Sequence, residues 1–343
     1  MDMLFTAEQE AIAASLAKYL TNILPRAALH TADRPGQVLE SLATEQYWTG
    51  LAEMGLFMLG VGEEFGGAGL GAADEVAAFR ELGRHLAVGP VVGTVLAAQF
   101  AAGVGDTALT EALMSGRTRA AVAFRQPGAE PEIGSRVTGS FRVYALETAD
   151  HILVLDGETA ALVPGAGLTV DAVDAVDPTA PVSIAEIDSP ANLLDFHSGL
   201  MRRGTILQAA LFCGMAEAAL ANSVEYVKQR EQFGKPIGAF QAVKHRCAEM
   251  AVRAETAFFQ TVYAALTEDE GHAEPDFHAA SALIVARDAA RLNAADNIQN
   301  HGGMGFTAEA DPHLFARRQI AQNIAFGSRR HQLEIVARAD NPL

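Results

Sequence analysis

The stretch QREQFGKPIGAFQAVKH, residues 229–245, decides how the second half of the chain folds. Its Phe233-Gly234-Lys235-Pro236 turn separates two long segments whose apolar residues recur at helical spacing. The stretch also concentrates positive charge. Lysine occurs at only four positions, and all except Lys18 flank or lie within this stretch: Lys228, Lys235 and Lys244. Arg230 and Arg246 add two guanidinium groups. Cations held on a turn between two rigid helices predict a corner that binds phosphate or pyrophosphate, and the alternative is an ordinary solvated turn.

The composition limits the class of protein. At 343 residues, half of them apolar, the chain can build a large core and two or three packed subdomains. A net charge of -17 argues against general attraction to nucleic acid or an anionic membrane, so an anion needs a local basic pocket. Cys213 and Cys247 are too few and too far apart for a zinc site or a disulfide framework, and no signal peptide opens the chain. We therefore expect a reduced, cytoplasmic protein without a metal site.

The first third of the chain has helical patterns. Thr6 is a predicted N-cap before the first helix, and further helices are predicted at 37–54, 72–87 and 107–115. The uncharged segment 86–105 has the length of a membrane span, but Pro90 and several glycines punctuate it. We predict a buried core helix there.

The pattern changes near Arg119, where short β-branched segments alternate with Gly, Pro and Asp and predict a small β-domain. The predicted strands are 120–124, 136–144, 151–155, 160–163, 168–173 and 182–187. From Gly204 onward, long amphipathic runs predict an antiparallel four-helix bundle. These runs are 204–228, 239–268, 277–300 and 312–339.

The order of the patterns predicts the fold class, an α+β protein that is mainly α. The expected domains are an N-terminal helical domain at 1–118, a reduced β-domain at 119–195 and a helical bundle at 196–343. The absence of βαβ alternation argues against a doubly wound nucleotide-binding sheet. The glycine patterns at 67–72 and 103–108 fit a loose dinucleotide motif, but each is better interpreted as a loop before a helix.

A second motif, IQNHGGMGF at residues 298–306, follows the basic stretch by some sixty residues. It ends a predicted long helix with the Gln299 amide and then Gly302-Gly303. Residues without Cβ atoms let backbone N–H groups approach a phosphate closely, although an ordinary glycine C-cap would have the same sequence.

The pairing of REQFGKPIGAFQ with IQNHGGMGF resembles the acyl-CoA dehydrogenase family, whose domain order is also helical, β, helical. EEFGGAGLG at 63–71 resembles a loop of the family's N-terminal domain, so the resemblance covers nearly the whole chain. It implies the cofactor FAD, held mainly by a neighbouring subunit. The residues implied to contact the adenosine and pyrophosphate of that FAD are Arg230, Phe233, Gln241, Gln299, Gly302 and Gly303.

The sequence departs from the family where the chemistry takes place. The resemblance implies a glutamate that removes the α-proton of an acyl-CoA thioester, but the matching position before Gly327 holds Phe326. The alternative base position matches Gly204, and nothing acidic lies between Asp195 and Glu217. Positions implied to support the flavin ring and substrate are changed as well: Arg125, Pro131, Val143 and Ala145. We therefore assign no catalytic residue to this chain.

These losses predict the non-catalytic subunit of a heteromeric, α2β2 acyl-CoA dehydrogenase, paired with a longer catalytic relative. The resemblance implies an acyl-CoA substrate, with steroid side chains among those that such relatives use, and an electron-transfer flavoprotein as acceptor. Apolar residues on several faces of the bundle indicate that it forms the oligomer interface. Two alternatives stay open: a homotetrameric dehydrogenase or flavin oxidase with an unusual base, and a regulatory or scaffold protein without flavin.

Overall fold

Helices occupy both ends of the chain and a β-sheet occupies the middle. The computed structural model describes residues 2–31, 38–157, 159–172, 175–195 and 199–340. The predicted class, mainly helical with a small sheet and a C-terminal helical bundle, is confirmed.

The N-terminal helices begin at polar caps. Helix α1, Ala7–Ile23, starts after Thr6, whose side chain accepts from the Gln9 backbone N–H while the Gln9 side chain accepts from Thr6, which closes a capping box. The prediction of a single helix at 37–54 is wrong. Two helices, α2 (Val38–Leu42) and α3 (Glu45–Glu53), occupy this region. Residue 37 lies outside the described residues. The break has a local cause: the Thr44 hydroxyl accepts from the Tyr47 N–H and starts a new helix.

Three further helices complete this part: α4 (Ala72–Arg84), α5 (Val91–Gly103) and α6 (Thr107–Met114). The apolar segment predicted as a core helix forms α5, and ten of its thirteen residues are buried. The prediction of a buried core helix is therefore confirmed.

The eight strands of the described sheet lie in the order β6-β7-β3-β1-β4-β5-β8, with β2 paired to β3. Pairing of β1 with β4 is parallel, and the other pairs are antiparallel. Apolar side chains of alternate residues form the core on one face, among them Phe141, Val143 and Ile152. The strands are β1 (Ala120–Arg125), β2 (Glu132–Ile133), β3 (Arg136–Tyr144), β4 (His151–Asp156), β5 (Thr159–Pro164), β6 (Thr169–Ala172), β7 (Val182–Pro190) and β8 (Asn192–Asp195).

The C-terminal bundle contains α7 (Leu200–Gln229), α8 (Gln241–Asp269), α9 (Pro275–His301), α10 (Pro312–Ala321) and α11 (Arg329–Arg338). The prediction of a single helical stretch from 312 to 339 is wrong. The Ser328 hydroxyl accepts from the His331 N–H and caps a separate last helix, so a turn lies between α10 and α11.

Helix α7 packs closely on α4 through two glycines. A Cβ on Gly214 would lie 1.9 Å from the Arg80 carbonyl oxygen, and one on Gly83 would lie 2.1 Å from that of Leu211. Within the described residues α7 is also the one helix whose length and composition suit a membrane span, but 83% of its apolar window is buried inside the protein. Its apolar sequence is explained by this packing.

The chain forms two compact units. One consists of 1–31, 76–87 and 206–343, and the other of 32–75 and 88–205. Each unit draws on separate parts of the sequence. The three-domain division at 118 and 195 stays a prediction.

Candidate functional site

The turn of the basic stretch is a tight β-hairpin with Phe233 at its tip. Strands β9 (Glu231–Gln232) and β10 (Lys235–Pro236) pair antiparallel, and Phe233 and Gly234 between them have φ values of 54° and 75°. Two successive positive φ values are typical of a type I′ turn, where a bulky residue is unfavourable by about 1–2 kcal/mol. The Phe233 side chain is nevertheless 91% exposed, so burial in its own chain does not compensate this strain.

Arg230 lies at the base of the hairpin with its backbone fixed and its side chain in solvent. Its N–H donates to the Tyr226 carbonyl at 2.8 Å, and its own carbonyl accepts from the Ile237 N–H at 2.8 Å. Within the described residues its guanidinium has no hydrogen bond or ion pair. Gln241, the first residue of α8, is likewise exposed. The corner therefore holds a charge that is available to an external anion.

The second motif forms an open glycine turn at the end of α9. Gly302 has a φ of 61°, and residues Gly302–Phe306 continue as a 3-10 helix. No heavy atom lies within 4 Å of a Cβ built on Gly302 or Gly303, and both residues are exposed, as is Gln299. The space beside the turn is thus open to a ligand, which fits the close approach of a phosphate to backbone N–H groups.

Side chains outside the predicted site join the two motifs. Tyr226, on the last turn of α7, stacks on His301 with ring centroids 4.0 Å apart and an interplanar angle of 22°. Arg246 of α8 donates to the Asn300 side-chain oxygen at 2.9 Å. Asn300 in turn donates to Ser223 Oγ at 2.7 Å. The structure therefore ties both motifs to one end of the bundle through contacts that the sequence did not reveal.

His301 anchors the start of the glycine turn as a neutral ring. Its Nδ1 lies 2.8 Å from the Asn297 carbonyl oxygen, and burial lowers the pKa of this histidine. The neutral tautomer with a proton on Nδ1 donates this bond and leaves the ring free to stack on Tyr226.

The position that matches the family's glutamate is built into the core. Phe326 has a φ of 57° and a side chain that is 1% exposed. Its carbonyl oxygen accepts from Gln332 Nε2 at 2.5 Å, and the carbonyl of Gly327 accepts from Arg287 at 2.9 Å. The Phe326 side chain offers no proton acceptor to a substrate, and it is buried.

The alternative base position is also without a carboxylate of its own. Gly204 lies in the first turns of α7, preceded by Arg202 and Arg203. The carboxylate near this part of α7 is Glu75, which is fully buried, lies 3.5 Å from Arg203 and accepts from Gln99 at 2.8 Å. Glu75 lies in α4, far in sequence from both implied base positions. Its burial, ion pair and hydrogen bond show that it is part of the protein interior.

The strands implied to support a flavin ring carry other contacts. Arg125 forms an ion pair with Asp156 at 2.5 Å, and Pro131 packs against Gly139. Val143 belongs to the sheet core and is fully buried. Because side chains alternate along a strand, the residues before and after it place theirs on the opposite face of the sheet. Ala145 adopts a φ of 58° at the end of the strand. In the described part of the chain, no group of three or more His, Cys, Asp or Glu could hold a metal ion.

Comparison with known proteins identifies the family. The acyl-CoA dehydrogenase N-terminal domain matches residues 6–116, and the acyl-CoA dehydrogenase C-terminal domain matches residues 198–340. Acyl-CoA dehydrogenase FadE34 of Mycobacterium tuberculosis is 37% identical over 284 residues, which are 79% of this chain but only 38% of that relative. Acyl-CoA dehydrogenase IpdE2 of the same species is 34% identical over 313 residues, 90% of this chain and 89% of that relative.

Solved structures show the same fold. A chain of the ChsE4-ChsE5 complex from Mycobacterium tuberculosis superimposes with a TM-score of 0.87 at 24% identity, covering 100% of both chains. Butyryl-CoA dehydrogenase from Megasphaera elsdenii gives a TM-score of 0.82 at 24% identity, covering 98% of this chain and 99% of that one. Together with the sequence relatives, these matches show that the chain belongs to the acyl-CoA dehydrogenase family, a family of oxidoreductases.

Proposed function

We propose that the chain is the non-catalytic subunit of a hetero-oligomeric, FAD-dependent acyl-CoA dehydrogenase. In this proposal it completes the FAD site of a catalytic partner and takes no proton from the substrate. One observation carries the proposal. The corner with Arg230 and Phe233 is exposed to solvent, whereas the position that matches the family's glutamate holds the buried Phe326.

The corner residues fit the adenosine and pyrophosphate end of FAD. Arg230 would pair with the pyrophosphate, and the Phe233 ring would lie against the adenine. The backbone at Gly302 and Gly303 would approach a phosphate, with the Gln299 and Gln241 amides as further hydrogen-bonding groups. FAD, when bound, supplies the acceptor for a hydride. This chain's contribution is binding and orientation.

The partner must then supply the general base. α-Protons of thioesters are weakly acidic, and a positioned base contributes about 10² to 10⁴ in rate. Phe326 and Gly204 cannot take a proton, and the buried Glu75 is already paired with Arg203. Removal of the proton is therefore assigned to the longer subunit, with an acyl-CoA thioester as substrate.

The names of two structural neighbours support the proposal of a second subunit and the inclusion of steroid thioesters among the substrates to be tested. One neighbour is the complex of two named chains, ChsE4-ChsE5, and another is described as the Tcur3481-Tcur3483 steroid ACAD. We therefore propose an α2β2 assembly built through the helical bundle, and include steroid acyl-CoA thioesters among the substrates to be tested. An electron-transfer flavoprotein is the proposed acceptor and the cytoplasm the proposed compartment.

The test is to purify the chain alone, a longer homologue alone, and the two co-expressed. Ultraviolet-visible spectra report bound flavin, and anaerobic bleaching by short, long and steroid acyl-CoA reports proton and hydride removal. We expect flavin and bleaching in the co-expressed complex and no bleaching with the isolated chain. Bleaching by the isolated chain would instead support a homotetrameric enzyme, and a complex that never holds flavin would support a scaffold role.

A further inference from the structure

A histidine from the N-terminal segment contacts the segment that follows the glycine turn. His30 lies in a 3-10 helix, Arg26–Thr31, and its side chain is only 18% exposed. Its Nδ1 is 2.7 Å from the Ala308 carbonyl oxygen, and its Nε2 is 2.8 Å from Asp311 Oδ1. Arg26 donates to the other Asp311 oxygen at 3.1 Å. All these residues belong to the same compact unit.

Both ring nitrogens of His30 face hydrogen-bond acceptors. Ala308 presents a carbonyl, which only accepts, and Asp311 accepts from Arg26 on its second oxygen, so both partners of His30 act as acceptors. A neutral imidazole has one N–H and can satisfy one of them, whereas the imidazolium donates from both nitrogens. The two hydrogen bonds therefore exist together only in the protonated ring.

The surroundings of His30 are consistent with a local positive charge. The His313 ring lies edge-on to it, with centroids 5.4 Å apart. Burial lowers the pKa of His313, and the neighbouring His30 and Arg317 lower it further, so His313 is held as the neutral partner. The charged and titratable groups around His30 are Arg26 on its own segment and Asp311, His313 and Arg317 on the opposing one.

His30 holds the far end of the segment that begins at the glycine turn. The near end is fixed by the stack of His301 on Tyr226, and Thr307 closes the 3-10 helix by donating to the Met304 carbonyl at 3.1 Å. Between these anchors lie Gly302 and Gly303, with open space on their outer side. The position of the turn therefore depends on a clamp at each end.

We propose that His30 is a positioning residue: its doubly donating imidazolium, bound to Ala308 and Asp311, fixes the segment 302–311 and so sets the glycine turn for a phosphate group. The contact to the phosphate rests on the proposed function. The fixing of the segment does not, because it can be measured on the chain alone. A merely structural contact would not depend on the charge of the ring.

Hydrogen–deuterium exchange of amides in 302–311 tests the clamp directly. The purified chain is compared with His30→Gln, which keeps polarity without the charge, and His30→Arg, which keeps several donors and a permanent charge. Protection factors are measured for all three proteins under the same conditions. We expect His30→Gln to exchange roughly ten- to hundredfold faster in this segment, the loss of one charge-assisted hydrogen bond.

The arginine variant distinguishes the donated hydrogen bonds from the shape of the ring. Protection of 302–311 should be lost in His30→Gln and retained in His30→Arg, because the guanidinium still has donors for both Ala308 and Asp311. His272→Gln is the matched control: it breaks a histidine–glutamate pair of 2.9 Å and is separated from Gly302 by the 27 residues of α9, about 40 Å. Equal protection of wild type and His30→Gln, or equal loss of protection in His30→Gln and His30→Arg, would overturn the proposal.

Flavin retention separates the clamp, the hydrogen bonds of His30 to Ala308 and Asp311, from the proposed function. The complex with the proposed partner subunit is diluted and passed over a gel-filtration column, and bound FAD is measured for the same variants. Faster FAD loss in His30→Gln, with rescue by His30→Arg, supports both ideas. Faster exchange without any change in FAD loss keeps the clamp and contradicts the assignment of the glycine turn as a phosphate site.

Discussion

The chain contains two Phe-Gly turns with nearly the same backbone and opposite surroundings. Phe233 and Phe326 have φ values of 54° and 57°, and each is followed by a glycine with positive φ. Phe233 is 91% exposed, whereas Phe326 is 1% exposed. The same unfavourable conformation is therefore buried in the core in one turn, whereas in the other the ring is exposed and makes an edge contact with Phe240, with centroids 6.0 Å apart.

This difference supports the proposal that the Phe233 turn serves an external ligand. At Phe326, burial of the ring and hydrogen bonds from Gln332 and Arg287 offset the strain. At Phe233 the hairpin presents an exposed aromatic ring beside Arg230, and backbone strain at an exposed turn of this kind is typical of binding sites. The comparison assigns binding to the first turn and structure to the second.

The largest expected effect concerns catalysis. The isolated chain, even with flavin, should turn over acyl-CoA at least about 10² to 10⁴ more slowly than the complex, because neither turn supplies a base. Replacing Phe326→Glu should not rescue it, since the new carboxylate would be buried beside core residues, out of reach of a substrate. Anaerobic flavin bleaching measures both. Turnover by the isolated chain would contradict the division of roles between the two turns.

The next effect is on stability. Phe326→Ala should reduce the free energy of unfolding by about 3–5 kcal/mol, because it leaves a cavity in the core, while Phe233→Ala should change it by less than about 0.5 kcal/mol. Urea denaturation of the two variants side by side gives the comparison. Similar losses at both positions would show that Phe233 is also a structural residue.

A smaller effect is expected on cofactor binding. Arg230→Ala should weaken FAD retention by the complex roughly ten- to hundredfold, through loss of a charge-assisted contact of about 1.5–3 kcal/mol. Arg330→Ala is the control, because that side chain is 90% exposed and lies in α11 outside both motifs. FAD is measured after dilution and gel filtration. Full retention in the Arg230 variant would identify the corner as a solvated turn.

The smallest effect tests the strain itself. Phe233→Asn should raise the free energy of unfolding by about 0.5–1 kcal/mol, because asparagine adopts the left-handed conformation more readily. It should also weaken FAD retention, since the aromatic face is lost. A variant that is both more stable and weaker in binding would confirm that stability is given up for binding at this turn. No gain in stability would mean that the Phe233 backbone is unstrained.

Much of the fold followed from periodicity. The long runs of the C-terminal part and the short β-branched segments have patterns strong enough to predict α7, α8, α9 and the sheet. The breaks at Thr44 and Ser328 were missed because the flanking residues form helices well. Both carry an N-cap signal in the sequence that could have located the new helix.

The candidate site was predictable only in part. Its two motifs, at 229–245 and 298–306, were visible because the pair resembles motifs of the acyl-CoA dehydrogenase family. The contacts that join them, Tyr226 with His301 and Arg246 with Asn300, link residues more than fifty positions apart, and a single sequence does not show such pairs. The hydrogen bonds to the carbonyls of Phe326 and Gly327 come from Gln332 and from the distant Arg287, and the latter contact is likewise hidden in a single sequence.

The exposed Phe233 has a consequence for the cell. Phe306, in the second motif, is also 81% exposed, so a copy without its partner displays two aromatic rings in solvent. Exposed apolar side chains of this kind attract chaperones and promote aggregation. Under the proposed two-subunit assembly, cells that make more of this chain than of the other subunit should hold the surplus on chaperones or degrade it, so the proposal also calls for balanced synthesis of the two.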